Sequence, residues 1–211
     1  FMSRFLSPQV ASLVNREGLL SAMREDCRVL SVVCCDLRGF TAFAGAFSSE
    51  QVIQLLRDYY DAVGTVVLEV EGTIKDYAGD GVLILIGAPV RTDDHAKRAV
   101  RLAGRIREAV TAVTDHWGAE NYPLGVGVGV ASGPVTVGIV GGEGRLEYAA
   151  VGQTVNLASR LCAQASAREI LTDRETVELC GDRTGAHFEP LEALALKGFQ
   201  DPVAAFSLGF H

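Results

Sequence analysis

The sequence has no excess of basic residues and no long apolar run. Lysine and arginine number 19 against 26 aspartate and glutamate residues, which gives a formal net charge of −7 at pH 7. No basic stripe offsets this charge, so we expect no nucleic-acid partner. No apolar run approaches the roughly 20 residues of a membrane-spanning helix, and no signal peptide is recognisable.

Cysteine is also scarce and unpaired. The five cysteines are an odd number without paired spacing, which argues against a disulfide framework. Cys34 and Cys35 stand in an apolar stretch and are typical of small buried residues. We therefore expect a reducing, cytoplasmic setting, either for a free domain or for the cytoplasmic part of a larger membrane or multidomain protein. The four histidines lie apart without metal-ligand spacing.

What the sequence does contain is enough apolar material for one core. Hydrophobic residues make up 48% of the 211 positions, which suits a single domain with a short appended segment. Residues 1–27 carry apolar residues at roughly helical spacing and predict a helix and linker. This segment either transmits a signal from an upstream sensor or membrane domain, or only packs on the surface of the domain formed by residues 28–211.

Periodicity predicts alternating strands and helices through the domain. Strands are expected over residues 29–36, 73–78, 82–86, 124–132, 135–140 and 146–151, with the last two forming a hairpin arm. Long helices are expected from Ser48 to residue 70 and from the Asp93-Asp94 cap to about Trp117. A shorter helix follows over residues 153–165, and the tail predicts short strands around a helix over residues 173–180.

The order of these elements is β-α-β-β-α-β followed by a C-terminal elaboration. It predicts an α+β fold with a ferredoxin-like core, in which two helices cover one face of an antiparallel sheet. Gly125, Gly127 and Gly129 alternate with valine in a strand. This alternation argues against a dinucleotide-binding loop and indicates a face where another element approaches closely.

Two carboxylates are expected to meet in such a sheet. Asp36 ends the first strand, and Asp80 lies in the Gly79–Gly81 turn of the central hairpin, which is the neighbour of that strand. Adjacent carboxylates repel each other unless a divalent cation lies between them. Taken singly, each aspartate is better explained as a turn residue.

A second polar pair lies on the helix over residues 153–165. Asn156 and Arg160 are one turn apart and share a face. An arginine there can stabilise charge on a phosphoryl group while an amide orients a sugar. The alternative is an ordinary solvated helix face.

The joint pattern resembles the catalytic domain of class III nucleotide cyclases, over residues from about 29 to 208. Four segments carry the resemblance: D-L-R-G-F-T (36–41), A-G-D-G-V-L-I-L-I-G-A-P (78–89), E-Y-A-A-V-G-Q-T-V-N-L-A-S-R (147–160) and L-K-G (196–198). The resemblance implies attack of a ribose 3′-hydroxyl on the α-phosphate of a purine nucleoside triphosphate, with release of pyrophosphate.

The resemblance also implies roles for individual residues. Asp36 and Asp80 would hold two Mg²⁺ or Mn²⁺ ions, with help from the backbone carbonyl of Leu37. Asn156 would orient the ribose, and Arg160 would stabilise the transition state. The residues expected to contact the β- and γ-phosphates are Gly39, Phe40, Thr41 and Lys197.

The family's sites lie between two catalytic domains, one of which supplies the acids and the other the asparagine and arginine. Because this chain carries both sets, the resemblance implies a homodimer with two equivalent shared sites and an inactive monomer.

The sequence departs from the family at the base. Adenylyl cyclases of the family carry a lysine at the position of Asp76, and a base-contacting side chain at the position of Ala149. Asp76 accepts hydrogen bonds only and suits guanine, although it also suits the adenine amino group. Lys75 is expected to point to the other face of its strand unless a bulge brings it in. We take ATP as the first choice and GTP as the second.

Two further readings stay open. One is a degenerate cyclase domain that binds nucleotide and acts as a regulatory dimerisation module. The other is a palm-type enzyme that joins two nucleotides with two metals, which the T-V-N-L-A-S-R helix does not fit.

Overall fold

The computed structural model describes residues 10, 12, 15, 24–142, 145–181 and 185–210, with the side chains of 142, 145 and 146 left out. Val10, Ser12 and Asn15 are helical, in keeping with the predicted N-terminal helix, and Val10 is buried. The rest of the segment before residue 24 and the tip of the predicted arm at residues 143–144 lie outside the described residues. The domain boundary at residue 27 therefore stays a prediction.

Thirteen elements make up residues 26–210. They are β1 (Asp26–Arg38), α1 (Phe40–Ala46), α2 (Ser49–Glu69), β2 (Thr73–Ala78), β3 (Gly81–Ile86), α3 (His95–Trp117), β4 (Gly125–Gly142), β5 (Arg145–Val151), α4 (Gln153–Gln164), β6 (Ile170–Asp173), α5 (Arg174–Cys180), β7 (Ala186–Pro190) and β8 (Ala205–Phe210).

One sheet of eight strands holds the fold together, in the order β2-β3-β1-β4-β6-β8-β7, with β5 paired to β4. The first four strands of this order are antiparallel neighbours and form the ferredoxin-like arrangement. The tail adds β6 parallel to β4, and β8 and β7 follow. The predicted α+β fold class with a ferredoxin-like core and C-terminal elaboration is confirmed.

The two faces of the sheet carry separate cores, as period-two alternation along β1 requires. Val33 and Cys35 belong to the core under α2 and α3, whereas Val32 and Cys34 belong to the core under α4. Asp36 continues the second series. It therefore stands at the end of β1 on the side of α4.

The predicted strand bounds are wrong in two places. β1 begins at Asp26 instead of residue 29, and residues 124–132 and 135–140 form one strand, β4. Gly133 and Pro134 looked like a break between two strands. Both pair with β1 instead, opposite Leu30 and Val29, because the longer β1 gives β4 a partner as far as Val137.

The two long helices begin differently. The expected start of α2 at Ser48 is a capping box, in which Ser48 and Gln51 satisfy each other's backbone amides. Asp94 occupies the N-cap position of α3, but its side chain makes no capping hydrogen bond. It accepts instead from Arg98 Nε at 2.7 Å.

Helix α4 packs against the alternating glycines of β4. A methyl group at Gly129 would lie 2.2 Å from both the Ala158 carbonyl oxygen and the Cys162 nitrogen. At Gly127 it would lie 2.3 Å from Arg38 Nη2. The predicted close approach is therefore confirmed, and the approaching element is α4 with the Arg38 side chain beside it.

Candidate functional site

The structure brings Asp36 and Asp80 together. β1 and β3 are antiparallel with Asp36 opposite Gly81, and the Leu37 amide donates to the Asp80 carbonyl at 3.3 Å. Burial and the negative charge of Asp80 raise the pKa of Asp36 above its ordinary value, and the Arg38 guanidinium opposes this shift. Burial is the larger cause of this rise in pKa, and repulsion between the two neighbouring carboxylates adds to it.

The turn that carries Asp80 is held by a tyrosine from α2. The Tyr60 hydroxyl donates to the Gly79 carbonyl, and the Tyr60 ring packs on Tyr77 with 4.4 Å between centroids. By its spacing Tyr60 belongs to the apolar face of α2. Its hydroxyl is what ties the helix to the turn, and no sequence signal distinguished it from the other residues of that face.

Arg38 is a second residue that the sequence reasoning missed. Its Nη1 lies 2.7 Å from Asp36 Oδ2, its Nε donates to the Ala165 carbonyl at 2.9 Å, and its Nη2 donates to the Cys162 carbonyl. Two of these contacts cap the last turn of α4. The available signal was the i, i+2 spacing of Asp36 and Arg38, which places both side chains on one face of β1.

A cleft of about 410 Å³ opens beside this pair. Strands β1, β2, β3 and β5 and helix α4 supply its walls, which include Asp36, Lys75, Asp76, Ala150 and Ser159. The predicted metal acid Asp36 and the predicted base residue Asp76 therefore face the same space.

A bulge in β2 changes the expected position of Lys75. The register with β3 shifts between Ile74 and Asp76, so strict alternation fails there. Lys75 and Asp76 both line the cleft. The Lys75 side chain is 14% exposed and pairs with Glu147 of β5 and, at 3.7 Å, with Asp76. The expectation that Lys75 points to the other face is wrong, because the bulge offsets the strand by one residue.

Ala149 is half-buried on β5, opposite Gly138. In the described part of the chain it is Ala150, not Ala149, that contributes to the cleft wall. Neither alanine offers a side-chain hydrogen bond to a bound base.

The turn from Gly39 to Thr41 begins α1. Gly39 has φ +81°, and a methyl group there would lie 2.2 Å from the Pro123 carbonyl oxygen, so only glycine fits. Phe40 packs against the core under α2 and α3, and Thr41 is exposed. A phosphate-binding role for this turn stays a prediction.

Asn156 and Arg160 do not line the cleft that Asp36 lines. Both are exposed on α4, while Val155, Ser159 and Cys162 of the same helix face the cleft. Among the described residues Arg160 has no ion-pair partner. Lys197 is exposed in the turn between the bridged residues Leu194 and Val203. A single chain therefore does not gather all of its predicted site residues around one cleft.

The residues present fit a divalent cation. Among described residues no cluster of three or more His, Cys, Asp or Glu side chains could hold a metal. The candidate is therefore the Asp36–Asp80 pair, which offers the oxygen ligands that Mg²⁺ prefers while leaving positions for a ligand's phosphates. A cation bound here would offset the repulsion between the two carboxylates.

Across the described residues, no helix combines the length and apolarity needed to cross a membrane.

Comparison with known proteins identifies the family of the chain. Residues 23–209 match the family model described as adenylate and guanylate cyclase catalytic domain. Adenylate cyclase 1 of Rhizobium meliloti is 34% identical over 166 residues, which cover 77% of this chain and 25% of that protein. An uncharacterized protein of Mycobacterium tuberculosis is 31% identical over 197 residues, or 90% of this chain and 36% of that protein. The chain thus spans about a quarter to a third of the length of these relatives.

Two solved structures share both fold and sequence with the chain. The adenylyl cyclase CyaB from P. aeruginosa superposes with a TM-score of 0.84 at 30% identity, over 89% of this chain and 97% of that one. The guanylyl cyclase Cya2 superposes with a TM-score of 0.79 at 32% identity, over 89% and 95%. The chain therefore belongs to the class III adenylyl and guanylyl cyclase catalytic domain family.

Proposed function

We propose that the chain converts a purine nucleoside triphosphate into its 3′,5′-cyclic monophosphate and pyrophosphate, at two sites shared between two copies. The observation that carries this proposal is the division of the residues. Asp36 and Asp80 meet beside the cleft, whereas Asn156 and Arg160 are exposed on α4 and are not among the residues that line it. A second copy is the natural source of the missing half of each site.

The residues suit an in-line displacement at phosphorus. The ribose 3′-oxygen forms a bond to the α-phosphorus as the bond to the pyrophosphate oxygen breaks, and the hydroxyl proton leaves to solvent. Mg²⁺ or Mn²⁺ at Asp36 and Asp80 would activate the attacking oxygen and neutralise the phosphates. Arg160 of the partner copy would offset charge on the α-phosphate, and Asn156 would orient the ribose. Lys197 and the Gly39–Thr41 turn would bind the terminal phosphates.

Two features bear on the base. Lys75 supplies a hydrogen-bond donor at the cleft wall, and adenine N1 accepts where guanine N1–H donates. Asp76 beside it is 56% exposed at its side chain and would accept from the adenine amino group. We therefore propose ATP as the substrate, with GTP as the runner-up. Both activities occur among the relatives, since CyaB is an adenylyl and Cya2 a guanylyl cyclase.

Product analysis with Mn²⁺ and either ATP or GTP tests the proposal directly. We expect cyclic AMP at protein concentrations that favour dimers; the absence of any cyclic product from either nucleotide would refute the enzymatic function. In that case nucleotide binding without turnover would support the second candidate, a regulatory dimerisation module. The departure at Ala149 favours this candidate, because Ala149 offers no side-chain hydrogen bond to a base and does not line the cleft.

Complementation tests the shared site. Asp36→Ala and Arg160→Ala should each be inactive alone, and mixing them should restore one of the two sites. Arg101→Ala is the matched control, because Arg101 is also an exposed arginine but lies on a different helix, α3. A mixture as inactive as its components would show that the sites are not shared.

Substitutions in the β2 bulge test the base. Lys75→Ala should lower kcat/KM for ATP by about tenfold or more relative to GTP, since a hydrogen bond from a charged group contributes about 1.5–3 kcal/mol. Asp76→Lys should raise the preference for ATP, as a lysine at this position does in the family pattern. An ATP/GTP ratio unchanged in both variants would exclude both residues from the base site.

A further inference from the structure

The Arg38 side chain joins two parts of the molecule that the proposed function assigns to different active sites. On one side its Nη1 lies 2.7 Å from Oδ2 of Asp36. On the other side its Nε and Nη2 donate to the carbonyl groups of Ala165 and Cys162, at the C-terminal end of α4. One planar guanidinium thus connects a predicted metal ligand with the helix that carries Asn156 and Arg160.

The position of this guanidinium is built into the sheet. A methyl group at Gly127 would lie 2.3 Å from Arg38 Nη2, 2.7 Å from its Cζ and 2.9 Å from the Ala165 carbonyl oxygen. Only glycine leaves room for the guanidinium to lie on β4 in this way. The Arg38 side chain is 23% exposed, so the contacts are partly shielded from water.

The groups at both ends of the contact are stabilised by the positive charge of the Arg38 guanidinium. The last carbonyl groups of a helix lack partners within the helix and carry the negative end of its dipole, which a guanidinium satisfies. Asp36 lies next to Asp80, and the Arg38 guanidinium 2.7 Å from Asp36 Oδ2 offsets the repulsion between the two carboxylates. A lysine could serve only one of these ends well, because its ammonium lacks the fork geometry of arginine.

We propose that Arg38 is a positioning residue that serves both active sites of the dimer at once. Through Asp36 it orients a metal-binding carboxylate of one site. Through the end of α4 it holds Asn156 and Arg160 for the other site. The inference rests on the proposed shared-site function, because the two sites are separate only if each copy contributes to both.

A heterodimer with a single working site separates the two roles. One protomer carries Asp36→Asn and the other carries Arg160→Ala. The working site then takes its acids from the Arg160→Ala protomer and its asparagine and arginine from the Asp36→Asn protomer. Arg38→Gln is added to one protomer or the other, with Arg101→Ala in the same protomers as the control.

We expect a different defect from each placement. In the Arg160→Ala protomer, which supplies the working Asp36, Arg38→Gln should raise the Mn²⁺ concentration for half-maximal activity on the order of tenfold. Loss of a residue that orients a metal ligand has an effect of this size. In the Asp36→Asn protomer, which supplies the working Arg160, Arg38→Gln should lower kcat by a similar factor and leave the Mn²⁺ requirement unchanged. If either placement has no effect while the parent heterodimer is active, the dual role is refuted and the proposed function stands. An inactive parent heterodimer refutes both.

Two measurements without turnover complete the test on otherwise unchanged homodimers. Calorimetric titration with Mn²⁺ should show weaker binding to Arg38→Gln, and hydrogen exchange should accelerate in the last turn of α4. Arg38→Lys guards against a folding defect: it should fold and retain slow exchange or Mn²⁺ binding, but not both. Full retention of both in Arg38→Lys, or wild-type values in Arg38→Gln, would overturn the proposal.

Discussion

Because α4 packs directly on Gly129 of β4, Gly129→Ala is the single substitution that tests this packing most sharply. The added methyl group would lie 2.2 Å from the carbonyl oxygen of Ala158 and from the amide nitrogen of Cys162. Both are backbone atoms of a helix, so neither moves out of the way by a change of rotamer. The whole helix must retreat from the sheet, and Asn156 and Arg160 move with it.

The sign and size of the effect follow from the contacts. Carbon and oxygen atoms pack at about 3.5 Å, so α4 must shift by roughly 1 Å, and a gap of that size forfeits up to about half of each lost contact. Overpacking of this kind costs about 1–3 kcal/mol of unfolding free energy. In open space the same substitution in a strand would gain about 0.5–1 kcal/mol. The contact with α4 therefore turns a stabilising substitution into a destabilising one.

Thermal unfolding measures this directly. We expect Gly129→Ala to lower Tm by about 2–12 °C, since about 1 kcal/mol corresponds to 2–4 °C in a chain of this size. Gly64→Ala is the control, because nothing lies within 4 Å of a methyl group there and Gly64 is in the interior of α2. It should raise stability by about 1 kcal/mol. A Tm of Gly129→Ala equal to or above wild type would refute the packing of α4 on β4.

Three further expectations are independent of that contact. Burial lowers the pKa of His95, against the pull of Asp93 and Asp94; below about pH 6.5 the unfolded chain gains a proton that the folded chain does not. Unfolding free energy should therefore fall as pH drops through this range, and His95→Gln should remove that slope in urea titrations at several pH values. Burial also raises the pKa of the Cys35 thiol to about 12, so a maleimide at pH 7 should label the exposed Cys27 alone, as mass spectrometry would show. Tyr60→Phe removes the hydrogen bond to the Gly79–Gly81 turn and should lower stability by about 1 kcal/mol; Mn²⁺ binding to the variant should weaken, and an unchanged affinity would mean that the turn does not depend on this hydroxyl.

Most of the fold was predictable because its signals are local. The capping box at Ser48, the hairpin turn around Asp80 and the apolar faces of α2 and α3 are written in residues that are close in sequence. The single strand β4 was not, because pairing with β1 carries it through Gly133 and Pro134. That pairing depends on residues of β1 that are far away in the sequence, and local glycine and proline signals do not encode it.

The candidate site divides along the same line. The residue types and their spacing were sufficient to predict that Asp36 and Asp80 meet, since adjacent strands of a known order leave no other arrangement. The roles of Asn156, Arg160 and Lys197 rest on the family pattern and await the complementation experiment.

The sequence by itself determined the residue types of the site, the order of the elements and the glycine alternation that leaves space on β4. Tertiary structure alone decided what occupies that space and which side chains reach the cleft. The bulge in β2 brings in Lys75, and the packing of α4 brings its last carbonyl groups to Arg38. The physical reason is that a one-residue offset or a helix shift of about 1 Å reverses such contacts. Periodicity and composition do not resolve differences of that size.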